Sequence, residues 1–327
     1  MAGNSPMPTL PVVKSVIQSR AILQLVRQDF GIEDSLSCTL IKSMNNDVYQ
    51  IAAPSGSRIL KIYGRGYRKP SEAFWESDLI HHLAAGKVRV AQIFLTRTGA
   101  PFLTLNAPEG ARLATLYEDI PGHWLAAADG LPVLQAMGNY VGEMYNSSDD
   151  FESPHRGRTL DLPRLMRQSK AVTARIFAGE SAEKQSMLDL LDEADKRLTA
   201  LTAAGIDWGV CHGDLALHNA RVGPADTISL VDFENAGYGW RAADLSAIRH
   251  DMRNIDGGWE AFSEGFRERR PLSQSELTAI DWMVIPFWVD SFRESLRTPN
   301  FNLRRDERAA RVVTGVLNWA DQQLFSG

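Results

Sequence analysis

Cysteine is scarce in this 327-residue chain: Cys38 and Cys211 lie far apart in neither a CxxC pattern nor a Cys/His ligand spacing. A disulfide framework and a structural zinc site are therefore excluded as organising devices. Positive charge is also in deficit, with 35 Lys and Arg against 40 Asp and Glu, a net charge of −5. No overall basic surface is offered to a nucleic-acid backbone, so nucleic acid is not an expected partner. No uninterrupted apolar run reaches spanning length, and the start "MAGNSPMPTLPVVK" has no basic segment followed by an apolar one. No membrane partner is expected, and the compartment expected is the cytoplasm. Internal repeats and low-complexity tracts are missing too, which leaves an ordinary globular protein long enough for two lobes.

What is present divides by texture. After a leader read as loose, "VVKSVIQSRAILQLVRQDFG" sets Val13, Ile17, Ile22, Leu25 and Val26 at near-helical spacing and stops at Gly31. Short β-rich runs follow: "SLSCTLIK", "DVYQIAA", "SRILKIY", "AQIFLTR", "PFLTLNA" and "ARLATLYEDI". They are punctuated by "PSGS", "TGAP" and "PEG", which are turn compositions. "PSGS" reads as a hairpin turn. One helix, "SEAFWESDLIHHLAAGK", interrupts the strands.

Beyond "DIPG" the pattern is mostly helical, with helices expected at 131–147, 183–203, 241–252, 257–268, 274–297 and 304–324. The fold class expected is α+β: residues 1–117 as a small antiparallel β lobe with one helix, and 118–327 as a large, mainly helical lobe.

The second lobe contains an exception, "VCHGDLALHNARV" followed by "TISLVDFENAGYG". Asp214 and Asn219 share a loop, and Asp232 ends the apolar run "ISLV". If the two runs form a hairpin, three oxygen-bearing side chains meet at one rim. Hard oxygen ligands of this kind suit Mg²⁺, which takes one or two carboxylates and completes its shell with water and phosphates. Phosphoryl transfer asks for such a metal, a cation on the non-transferred phosphates and a carboxylate that orients the attacking hydroxyl. Lys61 is a lone cation inside an apolar strand, where a charge needs a partner or a wet cleft. Glu76, on the following helix, is the candidate partner, with Glu72 on the same helix as the alternative.

In this order, "ILKIY", "HGDLALHN" and "VDFENAGYG" resemble the aminoglycoside phosphotransferase and choline kinase family, relatives of the protein kinases. The bacterial stress-response kinase branch, once described as type II homoserine kinases, is similar along most of the length. The segments "SMNNDVYQI", "FWESDLIHHLAAGKVRVA", "LYEDIPG" and "WRAADLSAI" extend the likeness over about residues 35–325. The resemblance implies a protein-kinase-like two-lobed fold and an ATP- and Mg²⁺-dependent kinase acting on a hydroxyl, with GTP as the alternative nucleotide. It implies Asp214 as catalytic base, Asn219 and Asp232 as metal ligands, and Lys61 as the phosphate-binding lysine supported by Glu76. It also implies a nucleotide-covering hairpin that uses Ser43 and Asn46, a hinge including Tyr117 and Asp119, and Asp244 as a buttress of the catalytic loop.

Three features depart from the family's pattern. Ala216 stands where a histidine is common, so neither His212 nor His218 is given a proton-transfer role. No glycine-rich loop is present, leaving "SMNND" to offer backbone amides. "DFE" replaces the protein kinases' "DFG", which makes Glu234 an assistant to the metal.

The expected function is phosphoryl transfer from a nucleotide to a small hydroxyl-bearing acceptor: an amino alcohol, hydroxy amino acid or natural product. Only twelve residues separate Asp232 from Asp244, too few for a long polypeptide-docking segment, so a protein Ser/Thr kinase is the alternative. A non-catalytic nucleotide-binding scaffold and a hydrolase using His212, Asp214 and His218 are the remaining alternatives. In "AIDWMVIPFWVDSFRESLR", Trp282, Ile285, Val289 and Phe292 should face the core. Asp281, Trp288 and Glu294 lie on other faces, and Pro286 should interrupt or kink the helix. From these acids and the aromatic, an acceptor with one or two amines is expected.

Overall fold

The computed structural model describes residues 10–177, 179, 181–290 and 305–324. Two compact units emerge. The first comprises residues 1–84, 90–121 and 153–156, and the second 85–89, 122–152 and 157–327.

The first unit is built on a six-stranded antiparallel sheet: β1 (Ser37–Ser43), β2 (Asp47–Ala52), β3 (Arg58–Ile62), β4 (Ile93–Phe94), β5 (Leu103–Ala107) and β6 (Gly110–Glu118). Its order is β1-β2-β3-β6-β4, with β5 paired to β6. The "PSGS" turn joins β2 to β3 with Gln50 opposite Ile59. Alternation along β2 and β3 sends Tyr49, Ile51, Leu60 and Ile62 to one face, all fully buried. Helix α1 (Ser19–Phe30) covers that face with Ile22, Val26 and Phe30, spaced at four residues as a helical stripe requires. Gly31 ends the helix in the left-handed region, its N–H bonded to the Val26 carbonyl. Helix α2 (Pro70–Ala85) follows β3 and places Glu76 on a buried face.

The leader read as loose is tied down from Lys14, and α1 starts at Ser19 rather than near Val13, which is 80% exposed. The cause is a set of buried charges that periodicity does not report. Ser15 gives its N–H and its hydroxyl to the two Glu109 oxygens at 3.1 and 2.8 Å. Its carbonyl accepts from Arg112 at 2.8 Å. Lys14 pairs with the fully buried Asp47 at 2.7 Å, as does Arg112 from the other side at 2.7 Å.

The second unit contains helices α3 (Leu131–Ser147), α4 (Leu162–Ile176), α5 (Ala182–Ala203), α6 (Arg241–Asp251), α7 (Gly258–Arg267), α8 (Gln274–Asp290) and α9 (Arg305–Leu324). Two three-stranded sheets accompany them. One contains β7 (His123–Trp124), β10 (Ala220–Val222) and β11 (Ile228–Leu230). The other contains β8 (Arg158–Leu160), β9 (Trp208–Cys211) and β12 (Gly237–Trp240). Helix α4 was not foreseen, although its signal is present: Asp161 caps the Arg164 N–H, and Pro163 occupies the first turn. On α8, Trp282, Ile285 and Val289 are buried and Pro286 does not interrupt the helix, its carbonyl accepting the Ser169 hydroxyl at 2.8 Å. Phe292 and Glu294 lie outside the described residues. Among the described residues no helix is long and apolar enough to cross a membrane.

Helices α3 and α7 meet backbone to backbone. A Cβ on Gly138 would lie 1.9 Å from the Phe262 carbonyl oxygen, and one on Gly265 would lie 1.9 Å from that of Gln135. Gly265→Ala should therefore force the helices apart and cost about 1–3 kcal/mol or more, read as a lower urea midpoint. An unchanged midpoint would show that this seam is not close-packed.

Candidate active site

Each strand that leads into the polar cluster ends just before its functional residue. β9 ends at Cys211, and the chain then turns away from its sheet partner β12 through His212 and Gly213. The backbone N–H groups of that turn have left the ladder and need acceptors. Asp244, in the first turn of α6, supplies both: one oxygen accepts from His212 N–H at 2.5 Å, the other from Gly213 N–H at 2.8 Å. Tyr145 donates its hydroxyl to the same carboxylate at 3.1 Å. Burial raises the Asp244 pKa, against the opposing pull of the His212 charge and of these donors. Gly213 is required at the turn: its φ is +77°, and a Cβ would come within 2.2 Å of the Asn235 carbonyl oxygen.

Asp214 emerges from this turn with its side chain exposed. The Asn219 amide nitrogen donates to the Asp214 carbonyl at 2.8 Å and to its carboxylate Oδ2 at 3.1 Å. The two apolar runs do form a hairpin, through the end of the first run and not through its start. β9 pairs with β12, while β10, which follows Asn219, pairs with β11. At the open end of this hairpin the Val231 N–H donates to the Asn219 carbonyl at 3.0 Å, and Asp232 follows Val231 in the chain. Asp232 itself has φ 70° and ψ 51°, a left-handed conformation uncommon outside glycine and mostly tolerated by Asn and Asp.

His212 is fully buried, with its ring Nε2 3.0 Å from the Val231 carbonyl and its ring tilted against Phe233. It is packed beneath the loop, while His218 is exposed. Glu234 is buried one turn beyond Asp232. The loop has a second anchor not foreseen from sequence, in which Leu217 N–H donates to Asp251 Oδ2 at 2.8 Å. A second unforeseen feature is Arg241, buried against the Tyr145 ring and paired with Asp149 at 2.7 Å and Asp207 at 3.1 Å. The sequence signal for Arg241 is its place between Trp240 and an apolar helix, where a cation must be matched.

In the first unit, Lys61 is half-buried on β3, opposite Val48 and Thr115, with its ammonium 5.8 Å from the Tyr63 ring centre. Both oxygens of Glu76 are engaged: Oε2 pairs with Arg68, and Oε1 accepts the Tyr117 hydroxyl at 3.1 Å. Tyr117 also shares a 2.7 Å bond with Tyr63, and burial together with the Glu76 charge pushes its phenol well above the ordinary range. The Ser43 hydroxyl donates to Asp47 Oδ1 at 2.6 Å, and Asn46 Oδ1 accepts from Gly64 N–H at 3.2 Å. These two side chains brace the β1–β2 turn. Asp119 accepts from the Gln50 amide at 2.8 Å.

A family profile described as "Phosphotransferase enzyme family" matches residues 37–272, most of the chain and the whole of the loop-and-hairpin cluster. The chain belongs to this family. As a phosphotransferase it has an uncharacterised relative in Deinococcus radiodurans, 33% identical over 285 residues that cover 84% of this chain and 81% of the relative. Two solved structures share its fold, each with a TM-score of 0.75. The amicoumacin kinase hAmiN in complex with AMP-PNP, Ca²⁺ and Ami is 19% identical, covering 91% of this chain and 93% of the other. The microcompartment-associated aminopropanol kinase is 21% identical, covering 94% and 98%. The phosphotransferase is thus of the protein-kinase-like α+β fold.

Asp244→Ala leaves the His212 and Gly213 N–H groups without their acceptor, at about 1–3 kcal/mol each. The urea midpoint should fall accordingly, with Asp244→Asn intermediate because it keeps one acceptor oxygen. A wild-type midpoint for the alanine variant would remove Asp244 as the loop's anchor.

Proposed function

We propose that this phosphotransferase moves the γ-phosphoryl group of a purine nucleoside triphosphate, ATP with GTP as the alternative, to a hydroxyl of a small molecule. The observation that carries this reading is the Asp214–Asn219 pair. One amide nitrogen donates to both the Asp214 carbonyl and its carboxylate, which fixes the acid and leaves the amide oxygen of Asn219 for another ligand.

The donor set fits Mg²⁺. Among the described residues no group of three His, Cys, Asp or Glu side chains could hold a metal, so a closed, soft site of the zinc type is not offered. One carboxylate from Asp232, one amide oxygen from Asn219 and the assisting Glu234 would hold the metal as hard-oxygen donors of the sort Mg²⁺ supplements with water and phosphates. Bound there, the metal would neutralise charge on the nucleotide phosphates.

The chain's own groups supply the remainder. Asp214 orients the acceptor hydroxyl with the carboxylate oxygen not held by Asn219 and receives its proton as the oxygen attacks. Lys61 serves the non-transferred phosphates. Glu76 supports Lys61 from within the Arg68–Tyr117 group, and Ser43 and Asn46 present the backbone of the hairpin turn. Residues 117–120, including Tyr117 and Asp119, receive the purine through backbone groups.

A small acceptor is favoured over a polypeptide because the short stretch from Asp232 to Asp244 is filled. A 3-10 turn over Phe233–Asn235, then β12, then the start of α6 occupy it in succession. The named neighbours act on amicoumacin and aminopropanol, and this supports the same class: amino alcohol, hydroxy amino acid or natural product.

Asp214→Asn should keep nucleotide binding while phosphoryl transfer to an acceptor falls by at least ~10². Asp232→Asn should instead weaken Mg²⁺-dependent nucleotide binding, read by titrating Mg²⁺ against a fluorescent ATP analogue. Wild-type turnover in the first variant together with unchanged metal dependence in the second would remove the site from this cluster.

For the first unit, a double-mutant cycle between Lys61→Ala and Glu76→Ala on nucleotide affinity should show coupling of 0.5 kcal/mol or more, on the order expected for interacting residues. Strict additivity would confine Glu76 to bracing Arg68 and Tyr117.

A further inference from the structure

The second unit contains a cavity of about 450 Å³ between the end of α6, the start of α7 and the faces of α8 and α9. That volume lies in the range of small-molecule sites, about 300–1,000 Å³. Its walls include Arg249, His250, Arg253, Trp259, Trp288 and Trp319. The cavity adjoins the catalytic loop through the chain itself. Asp251, whose carboxylate holds Leu217 N–H at 2.8 Å, sits between the lining residues His250 and Met252.

The charges around this cavity are not evenly matched. Arg249 is ion-paired with Asp281 and also feels the Glu260 carboxylate. Asp281, which sequence analysis offered as a contact for an amine, is therefore already matched by a guanidinium. Arg253 differs: it donates to the His250 carbonyl at 2.8 Å, and its guanidinium lies 5.9 Å from the Trp288 ring centre. Among the described residues no carboxylate pairs with Arg253. The carbonyl bond and the ring fix one edge and one face of the guanidinium, leaving further N–H donors for a pair of anionic oxygens. The His250 ring lies tilted against the same Trp288 ring, their centres 4.0 Å apart, and burial depresses its pKa to about 4, so near neutral pH it adds no charge.

Resting on the phosphotransferase reading, we propose that this cavity receives the acceptor and that Arg253 seats an anionic group on it, a carboxylate or a phosphate ester, with the tryptophans packing its carbon frame. The acceptor class narrows to hydroxyl compounds bearing an anion, of which hydroxy acids and hydroxy amino acids are the smallest. Amino alcohols without an anion lack the group that Arg253 holds.

The test has two readouts. In the first, the wild-type protein with Mg²⁺-ATP is offered glycerate, serine, threonine and homoserine as carboxylates, glycerol 3-phosphate as a phosphate ester, and choline and 1-amino-2-propanol as anion-free alcohols. In the second, calorimetry measures binding of the same compounds without nucleotide. At least one anionic compound should be preferred tenfold or more in kcat/KM over both anion-free alcohols. Whether glycerate or glycerol 3-phosphate is preferred separates the two anions. Arg253→Gln should raise KM for the preferred compound at least tenfold, Arg253→Lys should recover part of that loss, and circular dichroism should report a folded chain in both variants.

Preference for an anion-free alcohol, or a KM untouched by Arg253→Gln, overturns the anion seat and leaves the phosphotransferase reading standing. Calorimetric binding of an anionic compound that is lost in Arg253→Gln, without phosphoryl transfer to any compound, upholds the seat and counts against the reading. Absence of binding by every anionic compound overturns the seat.

Discussion

One carboxylate holds the loop of the candidate site together. At His212 the chain has left the β9 ladder, and at Gly213 it turns through a left-handed conformation, so two consecutive amides have no strand to bond to. Asp244 takes both, one on each oxygen. Because the acid is buried, its acceptors are not diluted by water, and the loop's backbone is specified as firmly as a strand would specify it. Nearby, Arg241 gathers α3, β9 and α6 through the Tyr145 carbonyl and ring, the Val210 carbonyl and the Asp149 and Asp207 carboxylates. Arg270 reinforces the same two acids from beyond α7. Asp214 is thus an exposed acid, held by the Asn219 amide, on a loop whose root is fixed.

The first unit uses buried charge in a comparable way. Asp47 lies between Lys14 and Arg112, and Arg112 extends to Glu109 and to the Tyr63 and Ser15 carbonyls. Burial alone would raise the Asp47 pKa, but the Lys14, Ser43 and Arg112 bonds outweigh it and bring it below its ordinary value. The group joins the leader, the β1–β2 turn and β6. The β1–β2 turn is therefore braced by side chains, where phosphate-binding loops commonly use glycines.

The parts of the fold visible in the sequence are those with periodic burial. Alternation in β2 and β3 and the four-residue spacing in α1 follow directly from one apolar face meeting one core. The α+β class and the ordered motif segments were equally legible, since Asp214, Asn219 and Asp232 stand in a pattern that few other structures require. What escaped reading depended on partners distant in sequence. Nothing local says that Ser15 will meet Glu109, that Glu76 will engage Arg68 and Tyr117, or that β9 will choose β12 over β11. Helix α4 was missed for a different reason: its start signal, Asp161 with Pro163, follows a short strand and precedes a mixed polar face.

Asp232 sits at φ 70°, where a β-carbon is tolerated only in a few residue types. Glycine, asparagine and aspartate occupy that region at least cost. The choice of residue at this position is accordingly narrow: the carboxylate could be exchanged for the amide of asparagine or the hydrogen of glycine without rebuilding the backbone. Most other replacements would disturb the fold before they altered the chemistry. The backbone here restricts the vocabulary of substitutions, and aspartate is the one of these three residues that carries a charge.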